Sequence, residues 1–79
     1  MPATERTAVK LLMASGETRT IDGADSARLE DAFFLITRHA PRTDRIDVVL
    51  TLRSQDIIGA EILTDGVRTA YVAGKAAAR

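Results

Sequence analysis

Residues 30–41, EDAFFLITRHAP, decide which fold the sequence predicts. Four large apolar side chains follow one another in this stretch: Phe33, Phe34, Leu35 and Ile36. Pro41 disfavours the α conformation at the residue before it, so it marks a natural helix end. Upstream, Asp25 or Ser26 can serve as the N-cap by accepting a hydrogen bond from a free backbone N–H. The stretch therefore predicts a helix of about 14 residues that ends before Pro41.

Helical periodicity sorts the apolar side chains of this segment into two groups. At 3.6 residues per turn, Leu29, Phe33 and Ile36 fall on one stripe of the width that a core-facing helix needs. Phe34 then points outwards among charged side chains, and Leu35 lies at the flank. A single exposed apolar residue is normal, and a neighbouring loop or the N-terminal arm is one cover for it. A partner surface is the other interpretation, and it makes Phe34 and Leu35 interface candidates.

Alternation of apolar and polar residues predicts strands on both sides of the helix. The predicted strands are TAVKLLMA (7–14), ETRTID (17–22), RIDVVLTLR (45–53), IIGAEIL (57–63) and VRTAYVA (67–73). The first two form a hairpin across Ser15-Gly16, and the last three form a meander with a turn at Asp65-Gly66. The order ββαβββ predicts a small α+β domain with one helix packed on a largely antiparallel sheet.

The chain shows no internal repeat and no linker, so we expect one domain. This single α+β domain is predicted over residues 7–73. Residues 1–6 are expected to form a flexible arm and residues 74–79 a frayed tail.

The sheet face opposite the helix also carries apolar side chains. Strict alternation directs Ile46, Val48, Leu50 and Leu52 inwards and leaves Val49 outwards. Leu12 points outwards in the first strand. A sheet covered by one helix should have one polar face, so the surplus residues favour a symmetric dimer. The interface candidates are Phe34, Leu35, Leu12 and Val49.

The composition restricts the partners that the chain is expected to have. Its 79 residues include no Cys and one His, which excludes disulfides and Cys–His zinc sites and leaves self-association as a route to extra stability. Eleven basic and eleven acidic side chains cancel, so no net field attracts nucleic acid or an anionic membrane. MPATERT carries no apolar stretch, and the longest run of large apolar residues is four, so neither a signal peptide nor a membrane span is expected. We expect a cytoplasmic homo-oligomer or a partner of another protein.

One basic cluster offers an alternative function. TRHAPRTDR, residues 37–45, contains Arg38, Arg42 and Arg45, opposed by Asp44 alone. Such a cluster can contact an anion or a nucleic-acid backbone. It lacks interleaved aromatic residues for base stacking, and a solvated loop is the simpler interpretation.

The sequence contains no recognisable catalytic constellation. Without Cys, only a pairing of a serine with His39 permits acyl transfer, and the position of His39 at a helix end explains it better. The five glycines are scattered rather than clustered as a phosphate loop requires. DGADSARLED, residues 22–31, lacks the spacing of a calcium loop. We therefore expect no enzymatic activity, no cofactor and no metal, and we predict a self-associating binding or accessory module.

Overall fold

The computed structural model describes residues 6–40 and 42–76, and these form seven β strands and one short 3-10 turn. The strands are β1 (Thr7–Met13), β2 (Thr18–Asp22), β3 (Ser26–Glu30), β4 (Phe33–His39), β5 (Ile46–Arg53), β6 (Ile57–Thr64) and β7 (Val67–Ala73). The 3-10 turn, Ser54–Asp56, connects β5 to β6. All neighbouring strands pair antiparallel, in a four-stranded sheet of order β2-β1-β6-β7 and a three-stranded sheet of order β3-β4-β5.

The prediction of an α+β fold with a packed helix is wrong, because the segment predicted as helix forms the β3–β4 hairpin. Asp31, at the turn between the two strands, has a φ of 52°, which a helix does not permit. The error has a physical reason. A run of consecutive apolar residues satisfies the helical period and the strand period at once, so periodicity alone does not separate the two. The run contains two aromatic residues and a β-branched one, which pack well on a pleated sheet.

The change from helix to strand reverses the roles of the two phenylalanines. Successive side chains of a strand point to opposite faces of the sheet. Phe34 is fully buried, whereas Phe33, predicted to face the core, is 53% exposed. Ile36 shares the inner face with Phe34 and is fully buried as well.

The predicted three-stranded meander is also wrong, although its strands exist. β6 and β7 form the expected hairpin, with Asp65 at φ 52° and Gly66 at φ 82° in a two-residue turn. The β1–β2 hairpin is likewise confirmed. β5, however, pairs with β4 in the other sheet, because the 3-10 turn carries the chain from one sheet to the next. The connection at Ser54–Asp56 therefore joins two layers and not two strands of one sheet.

The two sheets enclose one hydrophobic core. Its buried residues are Val9, Leu11, Ala24, Ala27, Phe34, Ile36, Ile57, Ala60 and Ile62. Met13, Ile21, Leu50, Leu52 and Val72 pack against it from the periphery. Both sheets contribute large side chains, so each layer covers the inner face of the other, as the helix was expected to do.

Ser54 ties three segments together at one end of the core. Its buried hydroxyl donates a hydrogen bond to the carbonyl of Asp31 at 2.9 Å, and its N–H donates to the carbonyl of Ala32 at 2.9 Å. Its own carbonyl accepts a bond from the N–H of Lys75 at 3.0 Å. The β3–β4 turn, the β5–β6 connection and the chain after β7 are thus held against one another.

The predicted arm and tail fall largely outside the described residues. At the N-terminal side, Arg6 exchanges hydrogen bonds with Asp65: its N–H donates to the Asp65 carboxylate at 3.0 Å, and its carbonyl accepts from the Asp65 N–H at 2.8 Å. At the other end, Ala76 donates a backbone hydrogen bond to Ile57 at 3.0 Å.

Candidate interaction surface

The outer face of the three-stranded sheet carries an apolar surface that the core does not cover. Directly opposed residues of an antiparallel pair lie on the same face. Phe33 opposes Arg53 and Leu35 opposes Thr51. The two β4 residues alternate with buried residues, and the two β5 residues alternate with partly buried leucines. This face is therefore directed away from the core.

A β-bulge in β5 adds two more apolar residues to the same face. Ile36 pairs with Leu50 and Thr37 pairs with Val48, so Val49 has no partner in β4. Because of this extra residue, the side chains that precede it in β5 point to the opposite face from the one that strict alternation predicts. Val48 and Ile46 consequently share the face of Leu35 and Phe33, and we call these four residues the outer patch. The bulge is also why the predicted inward orientation of Ile46 and Val48 is wrong.

Three members of the outer patch are widely exposed to solvent. The exposed fractions are 53% for Phe33, 56% for Ile46 and 54% for Val48, and Leu35 is half-buried. Monomeric proteins seldom leave several large apolar side chains together on one sheet face, and such clusters mark interaction sites. The outer patch is therefore the candidate interface.

The position of β5 adds to the significance of the patch. β5 is eight residues long and lies at the edge of its sheet, with β4 as its one neighbour. An edge strand presents unpaired backbone N–H and C=O groups, which another chain can pair with. Val49, at the bulge, is 45% exposed. Apolar side chains and free backbone groups thus occur together along this edge.

The four interface candidates from the sequence lie in different places. Phe34 is in the core and offers no surface. Leu35 belongs to the outer patch, and Val49 is exposed at the bulge beside it. Leu12 is half-buried on the outer face of the other sheet, opposite Thr18 and Gly59.

Sequence reasoning missed Phe33, Ile46 and Val48 as surface residues. For Phe33, the signal was present: reading residues 33–39 as a strand places one phenylalanine on each face. The strand that contains Ile46 and Val48 was predicted. The sequence pattern does not indicate the β-bulge that directs these two side chains outwards.

The basic cluster lies at the tip of the β4–β5 hairpin. The guanidinium groups of Arg38 and Arg45 lie 3.8 Å and 3.1 Å from the Asp47 carboxylate, and Arg42 lies in the connecting loop at φ 65°. His39 Nε2 is 3.0 Å from the carbonyl of Thr43, so the imidazole closes the loop. Two of the three arginines therefore share one carboxylate, which reduces the charge that they offer to an anion.

The metal and acyl-transfer chemistries considered from the sequence require side chains that the described part of the chain does not bring together. Within residues 6–40 and 42–76, no group of three or more His, Asp or Glu side chains is placed to hold a metal ion. The Ser54 hydroxyl is bonded to the Asp31 carbonyl and the His39 ring to Thr43, so these two side chains are engaged separately. No helix in the described part of the chain is long and apolar enough to cross a membrane.

Comparison of the chain with protein-family models, with curated proteins and with solved structures finds no match.

Proposed function

We propose that this chain is a small cytosolic binding or accessory module that self-associates as a dimer through the outer patch. The observation that carries the proposal is the exposure of Phe33, Ile46 and Val48 on one sheet face beside an unpaired edge strand. A second copy presents the same face, so a two-fold axis allows each patch to cover the other.

The size of the patch sets the expected strength of the dimer. Burying the exposed half of a large apolar side chain contributes about 1 kcal/mol, so the three residues contribute about 3 kcal/mol per protomer. Association costs roughly 4–15 kcal/mol in lost translational and rotational freedom. The two patches together therefore support a weak dimer and not a permanent one. We expect a dimer that dissociates on dilution.

Light scattering behind a sizing column, over a wide range of protein concentration, tests the proposal. The unmodified chain should pass from monomer to dimer as concentration rises. Val48→Glu should shift that transition to higher concentration or abolish it, since it places a charge in the buried patch. Val67→Glu is the matched control, because Val67 is 66% exposed on β7 of the other sheet.

Two results would contradict the dimer. One is a strict monomer at every concentration, which would leave the outer patch to a different protein partner or to solvent. The other is a dimer that Val67→Glu weakens and Val48→Glu does not, which would place the interface on the four-stranded sheet.

An anion or nucleic-acid contact through Arg38, Arg42 and Arg45 is the alternative. The structure favours it less, because Asp47 already engages two of these guanidinium groups. Salt separates the two proposals: an apolar dimer is unaffected or strengthened by added salt, whereas a phosphate contact weakens steeply.

A further inference from the structure

A cleft of about 390 Å³ lies where the β3–β4 turn meets the β5–β6 connection and the chain after β7. Its lining residues are Asp31, Ala32, Phe33, Arg53, Ser54, Gln55 and Lys75. The volume is within the range of small-molecule sites. The cleft is built entirely by one chain, but it shares Phe33 with the outer patch, so a ligand on Phe33 and a dimer through that patch compete.

The floor of the cleft is held in place by the hydrogen bonds of Ser54. The side chain of Ser54 is buried, and its hydroxyl and N–H fasten Asp31 and Ala32 at 2.9 Å each. The N–H of Lys75 is fastened to the Ser54 carbonyl at 3.0 Å. The lining segments are therefore positioned before any ligand arrives, which lowers the ordering cost of binding.

Among the described residues around the cleft, the cations differ in whether they are paired. Lys75 Nζ lies 3.6 Å from the Asp31 carboxylate, and Arg28 holds the nearby Glu30 at 3.2 Å. Arg53 makes no ion pair with any residue that the structure describes. A guanidinium group binds a carboxylate through two parallel N–H donors, so Arg53 is suited to a planar monoanion.

An aromatic ring stands beside the Arg53 guanidinium group. Phe33 is the direct cross-strand neighbour of Arg53, and about half of its side chain is exposed. Opposed residues on one sheet face lie about 5 Å apart between their Cβ atoms. A ligand whose anionic group contacts Arg53 therefore has its remaining atoms over Phe33.

We propose that this cleft binds a small carboxylic acid with a planar apolar body. The carboxylate contacts the Arg53 guanidinium group, and the apolar body lies on the Phe33 ring. Gln55, which also lines the cleft, offers an amide to further polar atoms of the ligand. Arg53 alone lacks an ion pair among the described cations of the cleft, which favours a monoanion over a phosphate dianion.

Chemical-shift titration of the ¹⁵N-labelled full chain with benzoate tests this site. We expect saturable shifts confined to the amides of 31–33, 53–55 and 75, with an affinity in the millimolar range. Arg53→Gln should weaken benzoate binding roughly tenfold, because it removes a charge-assisted hydrogen bond. Arg19→Gln is the matched control, since Arg19 is an exposed arginine on β2 of the other sheet.

Three further probes define which part of the ligand is recognised. Benzamide, which lacks the charge, and acetate, which lacks the ring, should each bind more weakly than benzoate. Phenyl phosphate should bind no more tightly than benzoate. Light scattering with and without benzoate shows whether the ligand changes the oligomeric state, so that loss of the dimer is not mistaken for loss of the site.

Several outcomes would overturn the proposal. They are the absence of saturable shifts at the named amides, equal binding of benzamide, and equal loss of affinity in Arg53→Gln and Arg19→Gln. Tighter binding of phenyl phosphate would overturn the assignment to carboxylates.

Discussion

The outer faces of the two sheets differ in how they meet solvent. On the four-stranded sheet, Lys10, Glu61 and Tyr71 form one row across β1, β6 and β7. Arg68 lies 3.4 Å from the Glu61 carboxylate and 5.8 Å from the centre of the Tyr71 ring. On the three-stranded sheet, Phe33 and Val48 of the outer patch are more than half exposed, although Arg53 lies opposite Phe33 on the same face.

The difference shows how the apolar part of an outer sheet face can be covered. Charged and amphipathic side chains on an outer sheet face keep their polar ends in water while covering the strands below. Tyr71 does this over Gly59, where a Cβ atom would meet its ring. On the outer face of the three-stranded sheet, Arg28, Glu30 and Arg53 flank Leu35 and Phe33, whereas Val48 is opposed by the short side chain of Thr37. The exposure of Val48 on this face supports the proposed dimer through the outer patch.

The largest loss of stability is expected from truncating a side chain on the core-facing side of β4. Phe34→Ala should lower the free energy of unfolding by about 3–5 kcal/mol, because it leaves a cavity in the core. Phe33→Ala, one residue away on the outer patch, should cost less than about 1 kcal/mol in the monomer. Urea denaturation of dilute protein measures both. Equal losses in the two variants would contradict a strand at residues 33–39.

A smaller effect is expected from disturbing the cover of the four-stranded sheet. Gly59→Ala should lower the free energy of unfolding by about 1 kcal/mol, because the added methyl displaces the Tyr71 ring. In a Tyr71→Ala background, the same substitution should cost nothing, since the space is then open. The double-mutant cycle, measured by urea denaturation, isolates this contact. A cost that persists without the ring would assign it to the backbone of Gly59 instead.

The smallest effect is expected from the charged row. Arg68→Ala should lower the free energy of unfolding by less than about 1 kcal/mol, since the pair with Glu61 is exposed and screened by water. The loss should shrink as salt is added. Arg19→Ala, on β2 of the same sheet, serves as a reference without a described ion pair. A loss that is large and independent of salt would show that Arg68 stabilises through packing on Tyr71.

The candidate surface was only partly predictable. The surplus of apolar side chains was evident from the sequence, and Leu35 lies on the outer patch as an interface candidate. The helical period directs Phe34 to the surface, whereas the period of the strand that this segment forms directs it to the core. Strict alternation directs Ile46 and Val48 to the core, but the bulge at Val49 depends on how β5 pairs with β4, a segment that the sequence predicts as a helix.

The sequence alone determined the features that depend on neighbouring residues. Alternation placed five strands correctly. Asp65-Gly66 indicated the hairpin turn, because Asp and Gly tolerate the positive φ angles that such a turn requires. Tertiary structure decided the conformation of residues 26–40, the facing of β5 and the division into two sheets. A run of apolar residues fits the helical period and the strand period equally well. Which conformation it adopts depends on the partner strand and the core that cover its side chains.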